Sequence, residues 1–408
     1  MVPPPSTEDW VDALTQGKRH LHQLPSDLSP TQAATIRRQA LEKMTNTSLS
    51  CIGNFSFDPR PANCENLIGA IQVPVGVAGP LLVRGQYITP QEPVFVPLAT
   101  TEGALVASIS RGCRALNAAG GAVVRVRDQG ISRAPVFRTS GIEQTETFLA
   151  WINEHFEDIV EHCEQGSRYL KLLDIRPAVV GTTIYLRFRF HTADAMGMNM
   201  ATLACQHAIE QLIVPATGVP CVSISGNYCT DKKPSLINFL LGRGKHIHAE
   251  AHLSADILRD VLKTSAAALV EVQYRKNLLG SIMAGALGFN AHHANMLAAL
   301  FIATGQDLGQ VAESGVGVTC LEARDHGALY ASILLPDTPL GTIGGGTRLS
   351  TQREALALLG IVAGRRTPGH DCLRLAEILG AVVLAGELSI MAAQADHSLA
   401  AAHQRLGR

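Results

Sequence analysis

The chain has 408 residues, 46% apolar and 17% charged, with 34 basic and 35 acidic side chains giving a formal net charge of −1. This length suggests two or three domains with an ample core, and the composition gives no sign of disorder. The balanced charge excludes a whole-molecule field that gathers nucleic acid or anionic lipid, so an anionic ligand needs a local basic cluster. The longest apolar runs, such as residues 378–385 before Glu387, fall short of the ~20 residues of a membrane span. MVPPPSTEDW has no basic and then apolar leader pattern, so a soluble, cytoplasmic protein is expected. Nine cysteines without a C-x-x-C pair read as reduced core thiols.

Residues 1–70 read as a helical N-terminal segment. Ser29-Pro30 followed by Gln32 is a capping box ahead of a helix, and FSFDPRPANCEN then marks a boundary. An apolar run punctuated by Pro and Gly leads into a helix with Leu105, Ile109, Cys113 and Leu116 on one face. Gly120-Gly121 stops that helix. Thr100 or Thr101 would cap it, placing Glu102 in its first turn. Asp128-Gln129-Gly130 between AVVRVR and SRAPVF is a hairpin signal, and an acidic helix is expected over residues 142–164.

RYLKLLDI and TTIYLRFRFH read as strands. In the second, Ile184, Leu186, Phe188 and Phe190 alternate with polar residues. A helix over residues 195–213 and a strand ending at Ser225 complete a β-β-α-β-β-α-β order, which suggests a ferredoxin-like α+β sandwich. From Pro234 onward the pattern reads as almost wholly helical.

No G-x-G-x-x-G, P-loop, H-E-x-x-H or G-x-S-x-G motif is present, which disfavours a Rossmann site, a nucleotide-binding P-loop, a zincin and an α/β-hydrolase. Polar islands in apolar sequence remain. Glu102 is either a carboxylate complementing a helix dipole or a partly desolvated acid. Asp231-Lys232-Lys233 form either a charged surface turn or a packed loop that tunes a lysine. The chain holds only 8 Lys against 26 Arg, and Lys can be tuned in a way that Arg cannot. Lys276, Asn290, His292, Asn295 and Asp307 interrupt apolar helices, and Asp307 also suits an N-cap. The glycines of GTIGGGT make either a bare turn or a cradle of N–H groups, and DAMGMNM opens a helix as an anion pocket would. His403 is the sixth residue from the end.

The motifs ENLIG, PVGVAGPL, ATTEG, DAMGMNM, SGNYCTDKKP, NAHHAN, GQD, GTIGGGT and AGELSIMAA occur in order from Glu65 to Ala393. Together they closely resemble 3-hydroxy-3-methylglutaryl-CoA (HMG-CoA) reductase, in particular the soluble catalytic portion of class I enzymes without their membrane anchor. The resemblance implies reduction of HMG-CoA to mevalonate and CoA by two NADPH in the mevalonate route to isoprenoids, with no metal. It also implies an obligate homodimer whose sites combine both subunits. The alternative on the same scaffold is NAD-linked oxidation of mevalonate.

By resemblance, the catalytic groups are Glu102, Lys232, Asp307 and His403. Arg133, Ser225, Asp231, Lys233, Lys276, His292 and Asn295 align with groups that hold HMG-CoA. Ser167, Arg168, Tyr169, Asp194, Met198, Asn199, Gly344, Gly345 and Gly346 match cofactor positions, with Arg168 suited to a 2′-phosphate. The implied division is an N-terminal segment (1–70), a large substrate domain (71–133 and 226–408) and a small ferredoxin-like NADP(H) domain (134–225). The HHAN doublet leaves open which of His292 and His293 faces CoA. Six extra residues near Arg84–Pro93 would lengthen a hairpin.

Overall fold

The computed structural model describes residues 6–53, 70–89 and 92–396. The first two long helices begin where side chains can satisfy free backbone donors. Ser6 and Asp9 form a capping box for α1 (Thr7–Thr15), and Ser29 and Gln32 form the expected one for α2 (Pro30–Thr45). The two helices share a small core of Val11, Leu14, Ile36 and Ala40. The ENLIG motif and the boundary sequence before it fall outside the described residues.

β1 (Val75–Arg84) and β2 (Pro93–Ala99) pair antiparallel as a hairpin. They lead to α3 (Leu105–Ala118), whose Leu105, Ile109, Cys113 and Leu116 are buried as the spacing predicts. The start of α3 departs from expectation. Thr100 Oγ1 accepts the Glu102 N–H at 3.0 Å in a local turn, and Ala104 is left-handed at φ +69. The helical path therefore cannot extend back to Glu102, which precedes the helix.

The Asp128-Gln129-Gly130 sequence does not reverse the chain either. β3 (Ala122–Arg133) runs straight through it. Gly130, at φ +74, absorbs a bulge in the register, and both halves of the strand find partners. The first half pairs with β8 (Arg243–Leu253) and the last three residues pair with β6 (Thr183–His191). One strand thus joins two sheets.

In the smaller sheet, β3 continues after a break as β4 (Val136–Arg138). With β5 (Lys171–Val180) and β7 (Cys221–Ser223) the order is β7-β4-β6-β5, antiparallel throughout. Counting β3 and β4 as one split strand turns the expected element order into the ferredoxin-like β-α-β-β-α-β. The alternation read in β6 holds: Ile184, Leu186, Phe188 and Phe190 are fully buried. They face α4 (Ile142–Glu154), α5 (Phe156–Glu164) and α6 (Met198–Ala208). The acidic stretch is two helices because His155, at φ −103 and ψ 25, breaks it. The helix expected from residue 195 begins at Met198 and continues through a π-helical turn, Ile209–Ile213.

The stretch after Pro234 is not wholly helical. β8, β9 (Val318–Ala323) and β10 (Leu329–Thr338) form an antiparallel group. In HIHAEAHL the buried positions are Ile247, Ala249, Ala251 and Leu253, so small alanines disguised a period-two strand as helix. α7 (His293–Thr304) and the 26-residue α8 (His370–Ala395) complete the large core. Among the described residues α8 alone is long and apolar enough to cross a membrane, and 94% of its apolar window is buried in the protein. The α+β class stands.

α3 crosses α8 so closely that a Cβ on Gly112 would sit 1.9 Å from the Ala385 carbonyl oxygen. Gly112→Ala is therefore expected to destabilise the chain by about 2–3 kcal/mol, read as a lower urea midpoint. An unchanged midpoint would mean that the crossing is looser than described.

Candidate active site

Lys232 sits in a loop of left-handed residues, with Asn227 at φ +61, Thr230 at φ +51 and Lys232 itself at φ +60. Its Nζ lies 2.8 Å from Asp307 Oδ2, both side chains being partly exposed. The Asp307 hydrogen bond holds the ammonium above the ordinary lysine range against partial burial, and the charges of Asp307 and Asp231 reinforce it. Asp307 Oδ1 accepts the Gly309 N–H at 3.0 Å, capping the turn Leu308–Gln310. Both readings of Asp307, helix cap and lysine partner, hold at once.

The adjacent Gln306 clamps Gly341. Its Oε1 accepts the Gly341 N–H at 3.0 Å and its Nε2 donates to the Gly341 carbonyl at 2.9 Å. A Cβ on Gly305 would lie 2.4 Å from the Gly346 carbonyl, so only glycine permits the GQD turn to press against GTIGGGT. Ala195 bridges to Ile343, and the Thr342 N–H donates to the Asp194 carbonyl at 2.7 Å. The TDKKP, GQD, GTIGGGT and DAMGMNM motifs, scattered over 150 residues of sequence, therefore meet at one place.

Two expected cofactor contacts are otherwise engaged. The Asp194 carboxylate accepts the N–H groups of Gly369 at 2.8 Å and Cys372 at 3.0 Å, and so caps α8 from another element. Met198 is buried, with its Sδ accepting from Arg243 Nη2 at 2.7 Å. Asn199, by contrast, is exposed, and a Cβ at Gly344 or Gly345 would meet nothing. Arg168 is exposed with its guanidinium over the Tyr169 ring, and the Tyr169 N–H donates to Ser167 Oγ at 3.3 Å.

A second group surrounds the start of α7. Glu387 of α8 is fully buried and accepts the N–H groups of Ala291 and His292, each at 2.8 Å, and the Thr319 hydroxyl at 2.6 Å. His293 is buried against Thr319, whereas His292 is partly exposed, with ring contacts to Asn295 and the Gly386 carbonyl at 3.1 Å each. His292 is therefore the member of the doublet that a ligand can reach. Lys276 is half-buried on a π-helical segment. Desolvation lowers its proton affinity against the pull of Glu387, and its Nζ donates to Asn277 Oδ1 at 3.2 Å.

Other expected site residues lie around the Lys232 loop, with Arg133 near enough to Asp231 to help lower its proton affinity. Arg133 Nε donates to Thr202 Oγ1 at 3.0 Å, Lys233 Nζ donates to the Asp231 carbonyl at 2.9 Å, and Ser225 lies just after β7. Glu102 is exposed rather than partly desolvated, and its carboxylate has no partner among the described residues. His403 lies outside the described residues. Sequence reasoning missed Arg243, Gln310 and Glu313, all buried behind Lys232. The available signal was a charged pair, Arg243 and Lys245, inside an apolar strand. Among the described residues no group of three His, Cys, Asp or Glu could hold a metal ion.

The fold and this convergence define an α+β protein with a ferredoxin-like sheet spliced into a larger one and a lysine–carboxylate pair near their junction. The family model described as hydroxymethylglutaryl-coenzyme A reductase matches residues 33–408, and the chain belongs to that family. It is 44% identical to a 3-hydroxy-3-methylglutaryl-coenzyme A reductase of Pyrococcus abyssi, over 99% of this chain and 100% of that protein. It is 39% identical to a reductase of Dictyostelium discoideum, over 99% of this chain and 74% of that protein. In fold it is similar to a class II enzyme from Streptococcus pneumoniae described as bound to NADPH, with a TM-score of 0.65 at 18% identity, covering 96% of this chain and 97% of that one.

Proposed function

We propose that the chain reduces (S)-HMG-CoA to (R)-mevalonate and CoA with two NADPH. The observation that carries this reading is the Lys232–Asp307 pair, set where three glycine-bearing motifs meet. NADPH, when bound, supplies hydride to the thioester carbon and then to the resulting aldehyde. As charge develops on the carbonyl oxygen, the Lys232 ammonium stabilises it and Asp307 keeps that ammonium charged and aimed. Glu102 would supply the proton for the aldehyde step and His403 would protonate the departing CoA thiolate. Each positioned acid is worth roughly 10²–10⁴-fold. Hydride delivery needs no protein nucleophile.

The chain's residues fit the cofactor in part. The open backbone at Gly344 and Gly345 and the start of α6 lie side by side, a suitable place for a pyrophosphate, with Gly346 behind them packed against Gly305. His207 bonds Gln165, which puts the Ser167–Tyr169 loop beside the far end of α6, roughly 12 Å along the axis from Asn199 at the helical rise. An extended dinucleotide suits that spacing, with Arg168 at the 2′-phosphate. Asp194 and Met198 would act by shaping the pocket wall.

Residues 134–225 would be the cofactor domain, with 71–133 and 226–408 as the substrate domain. Within the latter, Arg133, Ser225 at its edge, Asp231, Lys233, Lys276, His292 and Asn295 would grip HMG-CoA. Two observations support a homodimer with shared sites. The exposed Glu102 carboxylate has no partner among the described residues, and Ile282 and Met283 are exposed by 60% and 86% on one apolar segment. The class I-like reading rests on the ordered motifs from Glu65 to Ala393, and the burial of α8 within the protein fits the proposed cytoplasmic location.

Incubation with HMG-CoA and NADPH should yield mevalonate by mass spectrometry, with one CoA thiol released per mevalonate. Rapid NAD-linked oxidation of mevalonate with negligible forward turnover would favour the catabolic alternative. Within the site, a Cβ on Gly309 would lie 2.8 Å from Lys232 Cδ. Gly309→Ala should therefore displace the ammonium and lower kcat by about 10–100-fold. Unchanged kcat would show that Lys232 tolerates another path.

A further inference from the structure

Behind the Lys232 loop lies a cluster of buried charge that the proposed chemistry does not use. Arg243, at the start of β8, and Glu313, in the turn after Asp307, are both fully buried. Arg243 Nη1 pairs with Glu313 Oε1, and its Nη2 lies 3.0 Å from Asp231 Oδ1. The second oxygen of Glu313 accepts the backbone N–H of Lys232 at 3.2 Å. Gln310 Nε2 donates to Asp231 Oδ1 at 3.0 Å and completes the ring. Lys232 itself holds the left-handed conformation that side chains disfavour, which persists only where surrounding contacts impose it.

We propose that Glu313 is a positioning residue for Lys232, its carboxylate splinting the Lys232 main chain to Arg243 so that the ammonium stays against Asp307. This rests on the reading of Lys232 as the group that stabilises the oxyanion. A carboxylate is required because both oxygens accept hydrogen bonds, one from the Lys232 N–H and one from Arg243. An amide there must turn its NH₂ toward one of those donors. The charged groups facing the pair are Asp231 and Lys232 from the loop, Asp307 from its turn, Arg243 from β8, Asp337 from β10 and Arg187 from β6. Burial, with Asp337 and Asp231 nearby, drives the proton affinity of Glu313 up, while Arg243 and the Lys232 N–H, each donating to one oxygen, oppose it and favour the carboxylate. Removing that charge leaves Arg243 less compensated, which lowers the proton affinity of Lys232.

The test uses the full chain with HMG-CoA and NADPH, comparing Glu313→Gln and Glu313→Asp. Glu313→Gln should lose at least tenfold in kcat, with KM for NADPH within about twofold, because misplacing a catalytic group acts on the chemical step. The alkaline limb of its kcat profile should move to lower pH. Glu313→Asp keeps the charge on Arg243 but is one methylene too short to serve both donors, so it should lose kcat while the limb stays in place. Wild-type kcat and an unmoved limb in folded Glu313→Gln overturn the proposal. If that variant does not fold, wild-type kcat in Glu313→Asp overturns it instead. A wild-type chain that oxidises no NADPH with HMG-CoA is a separate result, which overturns the functional reading on which the proposal rests.

Discussion

Lys232→Arg is expected to lower HMG-CoA turnover at least a hundredfold in a folded protein. The substitution keeps the positive charge, so an effect of that size isolates geometry and proton affinity. The lysine Nζ is a compact donor 2.8 Å from Asp307, and its stem passes against the α-carbon of Gly309. A planar guanidinium is bulkier than an ammonium and presents its donors in a fixed fork. It would also spread over several atoms the charge that Asp307 focuses at one. Losing an aimed oxyanion donor costs about 10²–10³ in kcat. The measurement is steady-state turnover alongside circular dichroism, and near-normal kcat would remove Lys232 from the chemistry.

The largest expected loss of stability comes from Glu387→Ala. This carboxylate is buried in the middle of α8 and receives two backbone N–H groups and a hydroxyl. Truncation removes the acceptor of all three donors, the buried Thr319 hydroxyl among them, and leaves a cavity inside α8. The expected destabilisation is about 3–5 kcal/mol, read as a lower urea midpoint at neutral pH. It would also free the turn that presents His292. A pH dependence accompanies it. Burial drives the proton affinity of His293 down to about 4 from an ordinary 6.5, against the attraction of Glu387. The folded state thus prefers the neutral ring, so stability is full above pH 6.5 and declines as pH falls toward 4. Glu387 adds to the loss at still lower pH. Burial raises its proton affinity, but the neighbouring histidines, Thr319 and the Ala291 N–H outweigh it and hold it below the ordinary 4.5. A flat urea midpoint from pH 7 to pH 4 would contradict this account of the His293 site.

Much of the fold was legible because local physics and tertiary packing agreed. The Ser29 capping box, the face of α3 and the alternation in β6 each follow from spacing alone. The failures lie where tertiary structure overrode a local signal. Asp128-Gln129-Gly130 has turn composition, yet a bulge there lets β3 serve two sheets. The alanines of β8 favour helix in isolation, and only the pairing with β3 and β10 makes that segment a strand. At the site, the short polar islands and the ordered motifs showed Lys232 and Asp307. They did not show that Asp194 caps α8, because its partners lie some 175 residues away. Nor could they show Arg243 and Glu313 as a pair, since burial of opposite charges has no local periodicity. Glu102, placed by its spacing in the first turn of a helix, precedes that helix and is exposed in the single chain, so neither the dipole reading nor the desolvated one holds there.

HMG-CoA reduction by this chain is read most directly from cofactor absorbance at 340 nm with purified chain and HMG-CoA, run separately with NADPH and NADH. Oxidation of about two NADPH for each CoA released is expected, the stoichiometry of two hydride transfers at one site, with little oxidation of NADH. No oxidation of either cofactor by folded protein would contradict that expectation. A strong preference for NADH would contradict the role given to Arg168 and turn the reaction toward mevalonate oxidation.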